Sequence, residues 1–322
     1  MKNSKDMKKT CLLSGKFVLD IIVKREYPEG FTVGKNNKFV DNVVSETVGN
    51  TCGNVSCMLA WLGVQTFPEA HFDLSEQGLM MKEDLAHYGA DVRFVKNSEK
   101  GGTTLFRCTH KLDKATGEHT ISRRSTSPGS RFPKRKFLRG KDEAPAFIKD
   151  LDFTPDVYFF DAAEMGMRYL AQELRKKGTL VYFEPETASD VKKFIKGVEV
   201  SDIVKFSHER VEDLSFTDQY KDKLFIRTMG ADGLEFNLCG RGWQKVAPVP
   251  NDHVVDTEGA GDWTTSQFIA CLCEKDCLRV SDMSEDLVRE CLQKASETAS
   301  RSVSFLGSKG MIADEINRST NH

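Results

Sequence analysis

The chain has 322 residues, with 46 basic against 48 acidic side chains and a net charge near −2. That length suits one large α/β unit with a small appendage, and the charge balance gives no global field to draw the chain to nucleic acid or to a membrane surface. No apolar run approaches the roughly 20 residues that a membrane span needs.

The N-terminal stretch MKNSKDMKKTCLLSGKFVLDIIV puts lysines ahead of apolar residues, as a signal peptide does. Gly15, Lys16 and Asp20 break the apolar part, and no small-residue cleavage site follows. Leu12–Val23 is therefore read as a first strand behind a basic tail, with the protein expected in the cytoplasm. CGNVSCMLAWLG predicts a helix that stops at Gly63. VQTFPEAHF predicts a strand, SEQGLMMKEDLAHYG a helix closing on Gly89, and DVRFV a further strand. PDVYFFD, TLVYFEPE, SDIVKFS and DKLFIRTMG read as strands, with AEMGMRYLAQELRKKG as a helix among them. GDWTTSQFIACLCEK and SEDLVRECLQKASETASRSVSFLG predict two long closing helices. This rhythm argues for an α/β fold with a largely parallel sheet covered on both faces.

Two stretches break the rhythm, KNNKFVDNVVSETV and TTLFRCTHKLDKATGEHTISRR. Their polar and apolar residues alternate as in antiparallel strands with one wet face. Strands over approximately 34–47 and 101–124 are expected to form a small sheet that projects as a lid. The six basic residues between Arg131 and Lys141 read as a solvated loop. The nine cysteines are odd in number and irregularly spaced, so free thiols in a reducing compartment are expected.

VVDTEGAGDWTTSQF, residues 254–268, carries the chemistry. A helix N-terminus has unpaired N–H groups and partial positive charge, and an anion reaches them only if nearby side chains are very small. Gly259, Ala260 and Gly261 meet that need. Asp262 would then stand beside an anion hole, where a carboxylate takes the proton from an attacking hydroxyl. Phosphoryl transfer requires this pairing. For the isolated tetrapeptide the plain alternative is a tight turn with a favourable first-turn acid.

Asp256-Thr257-x-Gly259-Ala260-Gly261-Asp262 resembles the signature of the PfkB family of carbohydrate kinases, in the ribokinase-like superfamily. GNTCGNVSCMLAWLGV is similar to the family's glycine-pair and asparagine signature, with Asn54 at the asparagine position. IRTMGADG resembles its nucleotide-binding T-x-G-x-x-G, and Gly15 and Asp20 resemble its early substrate-contacting segment. The resemblance implies a ribokinase-like three-layer α/β/α sandwich over one domain, residues 1–322, with a small β-sheet lid. It implies an ATP-dependent kinase that uses Mg²⁺ and phosphorylates a hydroxyl of a sugar or nucleoside. Asp262 would be the general base and the backbone of Gly259, Ala260 and Gly261 the anion hole. Asp20, Gly49, Asn50 and Asn54 would face the substrate. Lys205, Ser207, Thr228, Gly230, Gly233 and Thr257 would line the nucleotide, and Glu184 and Glu209 would serve the metal. Relatives are often activated by a monovalent cation, and some form homodimers through the lid.

Four positions depart from the family pattern. Asn50 replaces the second glycine of the pair, a change that a turn at positive φ tolerates in Asn. Glu184 and Glu186 stand where Asp and Asn are usual. Lys205 and Ser207 fit a fructokinase-like K-x-S-x-x-E, but Arg210 occupies its final position, with Glu209 and Glu212 beside it. Trp263 follows Asp262 one place early, which reads as a repacked helix. A neutral sugar ranks ahead of a nucleoside such as adenosine as acceptor. The rival class is a catalytically weak binding protein on the same scaffold. An oxidoreductase is disfavoured because no G-x-G-x-x-G follows the first strand.

Overall fold

The computed structural model describes residues 8–26, 40–103, 105–112, 119–126, 142–185 and 187–320. Parts of both stretches expected as lid strands, all of the basic segment 131–141 and Glu186 lie outside these residues.

Nine strands form the main sheet: β1 (Thr10–Ser14), β4 (Gln65–Phe72), β5 (Val95–Asn97), β8 (Val157–Phe160), β9 (Leu180–Phe183), β10 (Ile203–Ser207), β11 (Leu224–Thr228), β12 (Leu234–Leu238) and β13 (Trp243–Val246). Their spatial order is β13-β12-β11-β10-β9-β8-β1-β4-β5. From β5 to β11 every pairing is parallel, and β12 runs antiparallel to both neighbours.

Side chains alternate along the central strands, as the strand period requires. Cys11, Leu13, Val157, Phe159, Leu180 and Tyr182 pack on one face. They meet α1 (Asn50–Trp61), α2 (Glu76–His87), α6 (Ala260–Glu274) and α7 (Glu285–Ser302) through residues such as Val55, Leu85, Phe268 and Leu292. Leu12, Tyr158, Phe160, Val181 and Phe183 point the other way. There they meet α3 (Glu143–Asp150), α4 (Met165–Lys176) and α5 (Val191–Glu199), through Ala144, Leu170 and Phe194 among others. The result is an α/β/α sandwich. A last helix, α8 (Gly310–Thr320), packs Met311 and Ile312 on Met58 and Trp263. Trp263 is 1% exposed and its indole donates to the Ser308 carbonyl at 2.9 Å, so its early position is accounted for by packing.

A second sheet has the order β3-β2-β6-β7, with β2 (Val18–Glu26), β3 (Val40–Gly49), β6 (Leu105–Leu112) and β7 (His119–Thr126). β2 pairs antiparallel with β3 and parallel with β6, and the β2–β3 register slips between Ile22 and Val23. The expected single strand Leu12–Val23 is thus two strands in two sheets. The break falls at Gly15. A Cβ there would stand 2.4 Å from Asp161 Oδ1. Asp161 follows β8 and is 1% exposed, and it accepts from the Lys16 amide at 2.9 and 3.2 Å and from the Cys52 amide at 3.1 Å. Gly15 therefore makes room for a structural carboxylate.

Three other sequence expectations change. DVRFV gives a turn of 3₁₀ helix at Val92–Phe94 ahead of a short β5. The β12–β13 hairpin and α8 extend a chain that was expected to close on two helices. The cysteines are not all free. Cys271 on α6 and Cys291 on α7 are joined, with Cα atoms 5.6 Å apart, because the two helices pack side by side and bring both sulfurs into one core. Cys11, Cys52, Cys57, Cys239, Cys273 and Cys277 are free thiols. Among the described residues no helix is long and apolar enough to cross a membrane.

Asp161 ties the start of β2 and the start of α1 to the central strands, and removing it leaves buried amides without an acceptor. Asp161→Ala should cost about 3 kcal/mol of stability, read by urea unfolding. An unchanged unfolding midpoint would show that these bonds hold nothing together.

Candidate active site

The C-terminal ends of the parallel strands open on two adjoining clefts, where α/β sheets commonly bind ligands. The first has a volume of about 360 Å³ and is lined by polar groups: Glu184 after β9, Lys205 and Ser207 on β10, Thr228 on β11, and Asn50, Thr51 and Asn54 on α1. The stretch at the head of α6 closes it with Thr257, Glu258, Gly259, Gly261 and Asp262, and His208, Glu209 and Arg210 form part of the lining. The second cleft, also about 360 Å³, is more apolar, with Leu234, Pro248, Val249, Val254, Ala299 and Val303. Thr228, Gly230, Thr257 and Gly261 line both, and Gly233 lines only the second.

The Gly-Ala-Gly turn is built by Gly259, which is the N-cap of α6 at φ 81° and ψ −2°. A side chain there would be strained, and its Cβ would lie 2.5 Å from Ser308 Cβ. A Cβ on Gly261 would meet nothing nearer than Lys205 Nζ at 3.7 Å, so this glycine leaves its space to the cleft. The amides of Gly261 and Asp262 have no acceptor among the described residues, while that of Ala260 reaches the Thr257 carbonyl at 3.3 Å. Asp256, 3% exposed, holds the turn from behind. It accepts from the Glu258 amide at 3.0 Å and from the Gly307 amide at 3.0 Å.

Asp262 lies in the first turn of α6, half-buried at the cleft wall. Its Oδ2 accepts from Asn54 Nδ2 at 2.7 Å. Burial pushes its carboxyl up to about 7, the Glu184 charge adds to the rise, and the Asn54 bond and Lys205 work against it. Lys205 is 2% exposed and forms a buried ion pair with Glu184, and it also donates to the Gly261 carbonyl at 3.1 Å. The other Glu184 oxygen accepts from Thr265. Arg210 donates to the Pro185 carbonyl at 3.2 Å and extends along the rim.

Two of the expected site residues have their polar atoms engaged within the chain. Glu184 was expected to serve a metal, but both its oxygens are engaged with Lys205 and Thr265. Direct ligation would break a buried pair. Asn54 was expected to hold substrate hydroxyls. Its oxygen accepts from Ser308 at 2.9 Å and Lys309 at 2.8 Å while its amino group serves Asp262. Both ends of the Asn54 amide are therefore engaged within the chain. Glu209 is exposed on the rim of the first cleft.

At the start of α1, Asn50 adopts φ 62°, the left-handed turn expected of it, and its side chain donates to the Lys16 carbonyl at 3.4 Å. Asp20, on β2, lies against Gly49, where a Cβ would stand 1.6 Å from Asp20 Oδ2. Burial raises the Asp20 carboxyl to about 7, Lys309 pulls it down, Glu258 pushes it up, and the Asn50 backbone bond lowers it. Asp256, Ser308 and Lys309 were not singled out in the sequence. Asp256 stood in the quoted signature, but nothing local marks the other two, whose partners lie far away along the chain.

Residues 167–314 match the model of the pfkB family carbohydrate kinases. Among solved structures, a putative ribokinase from Agrobacterium tumefaciens is similar with a TM-score of 0.66 at 16% identity, over 98% of this chain and 100% of that one. A fructokinase with bound ATP from Xylella fastidiosa gives 0.67 at 16%, over 94% of each chain. A nucleoside kinase from Methanocaldococcus jannaschii gives 0.63 at 16%, over 98% of this chain and 99% of that one. No curated protein matches the chain. At these identities the structural likeness establishes the fold. Residues 167–314 thus match a family of carbohydrate kinases, and nearly the whole chain has the fold of the ribokinase and fructokinase structures.

Proposed function

We propose that the chain transfers the γ-phosphoryl group of ATP to a hydroxyl of a small sugar or nucleoside, with a neutral sugar as the first choice. The observation that carries this reading is Asp262 at the head of α6, beside the amides of Gly261 and Asp262, which have no acceptor among the described residues. The apolar cleft suits the nucleotide's ring system, and the triphosphate would run past Thr228, Gly230 and Thr257 toward the Gly259–Gly261 turn. The ATP-bound fructokinase among the similar structures supports ATP as the donor. Asp20 and Asn50 would hold acceptor hydroxyls beside Gly49, since a carboxylate and an amide suit paired hydroxyls. Asp262, once ionised, accepts the proton of the attacking hydroxyl, and the amides hold the charge on the transferred group.

Mg²⁺ keeps several waters and takes only one or two carboxylates beside phosphate oxygens. Among the described residues no group of three His, Cys, Asp or Glu side chains is placed to hold a metal ion. Glu209 would hold the ion. Glu184 would act through Lys205, which it keeps against the Gly261 carbonyl. The metal supplies neutralisation of phosphate charge.

The small sheet would cover the acceptor, shielding ATP from water until an alcohol is bound. Its edge strand β3 exposes Val43 at 55% and Val44 at 46%. An exposed apolar edge invites pairing with a second copy. We therefore place a homodimer contact there, in a protein acting in the cytoplasm on small molecules.

Asp262→Asn should lower turnover by about 10²-fold or more while ATP still raises the melting temperature, read by ADP release and thermal shift. Unchanged turnover would remove Asp262 from the reaction. The base works ionised and its carboxyl sits near 7, so kcat/KM should climb as pH rises from about 6 to about 8 and level off above. A flat profile over that range would contradict the assignment. Val43→Lys combined with Val44→Lys should convert a sedimenting dimer to a monomer. A monomeric parent chain, or a dimeric variant, would place the contact elsewhere.

A further inference from the structure

Lys309 stands just ahead of α8 and is 4% exposed, yet among the described residues no carboxylate oxygen lies within ion-pair distance of its ammonium group. A buried charge with only neutral acceptors in contact is costly, which directs attention to what it contacts. Lys309 Nζ donates to Asn54 Oδ1 at 2.8 Å and to the Val48 carbonyl, and reaches Ser308 Oγ at 3.4 Å. It lies 5.9 Å from the centre of the Tyr88 ring. Asp20 on β2 and Asp84 on α2 face it at longer range, and its charge draws both carboxyls down against the effect of burial.

The chemistry of the ammonium decides the orientation of Asn54. An ammonium group only donates, so the Asn54 atom that it touches is the oxygen. The amino end is then the one that faces Asp262 Oδ2, at 2.7 Å. A hydroxyl such as that of Ser308 can donate or accept and would leave both amide orientations open. With the amide reversed, two oxygens would face each other and Asp262 would turn away from its present position. The same ammonium holds the Val48 carbonyl, while Asp84 accepts from the Val48 amide at 2.6 Å. Val48 immediately precedes the Gly49–Asn50 turn on the acceptor side.

We propose that Lys309 is a positioning residue that fixes the Asn54 amide in one orientation, aims Asp262 through it, and sets that carboxylate in register with the Gly49–Asn50 turn. The catalytic part rests on the reading of Asp262 as the base. The geometric part does not. It predicts how Asp262 titrates whether or not turnover is observed.

The test is a ¹³C NMR titration of the Asp262 carboxyl in the full chain, for the parent, Lys309→Met and Lys309→Arg, with kcat and KM measured beside it. The Asn54 bond favours the ionised carboxylate, so losing its fixed orientation raises the midpoint. Lys309→Met should raise it by about half a unit or more and lower kcat about tenfold with KM for ATP little changed. Lys309→Arg, again a donor only, should restore much of both. Glu184, Glu258 and Lys205, the other charges acting on Asp262, are the same in every variant. If Lys309→Met does not fold, Lys309→Gln replaces it and should shift the midpoint in the same direction, because its amide can donate or accept. An unchanged midpoint would overturn the proposal. So would losses in kcat that add fully when Lys309→Met is combined with Asn54→Leu, since a residue acting through Asn54 has little left to lose once Asn54 is gone. A parent chain with no kinase activity but the predicted shift would overturn the functional reading and leave the positioning role standing. An active parent with no shift would do the reverse.

Discussion

A helix can present its N-terminal amides to an anion only where the preceding backbone turns sharply and no side chain fills the gap. Gly259 makes the turn at φ 81°, and Gly261, whose Cβ would meet nothing nearer than Lys205 Nζ at 3.7 Å, leaves the gap open. The rest of the site is arranged around that turn. Asp256 ties it to the Gly307 loop, Lys205 holds the Gly261 carbonyl, and Asp262 follows in the first helical turn. The parallel strands deliver Glu184, Lys205, Ser207 and Thr228 to the same edge, because the chain leaves every one of them in the same direction.

Charge around the base is balanced by burial and pairing. Glu184 raises the Asp262 carboxyl and Lys205 lowers it, and the two are bound to each other. The arrangement leaves the carboxyl near 7, where a general base is most useful at neutral pH. Glu184 adds its charge to that rise and is itself held by partners within the chain. The longer side chain reaches Lys205 and Thr265, and the ammonium it fixes braces the anion-hole loop.

Local chemistry was legible in the sequence wherever the signal was local. The Gly-Ala-Gly turn, the Asn50 turn at positive φ and the buried strand in PDVYFFD follow from residue type and spacing. The split of Leu12–Val23 between two sheets was not legible, since both halves are apolar and the separation is set by Asp161, which lies 145 residues from Lys16. The joining of Cys271 and Cys291 depends on how α6 and α7 lie together, and no spacing rule contains that. Asn54 read as a substrate ligand from its motif, whereas its partners Ser308 and Lys309 stand 254 and 255 residues away. Contacts of that range fix what a side chain is free to do, and they exist only once the chain is folded.

The central claim is that a phosphoryl group crosses from ATP to an alcohol held beside Asp262. It is tested most directly by mass spectrometry of acceptors incubated with the protein and γ-¹⁸O-labelled ATP, across neutral sugars, sugar acids, sugar phosphates and nucleosides. One acceptor that gains the labelled phosphoryl group, with little label lost to free phosphate, is the predicted result. Label that passes only to water, or to nothing in the panel, would contradict it.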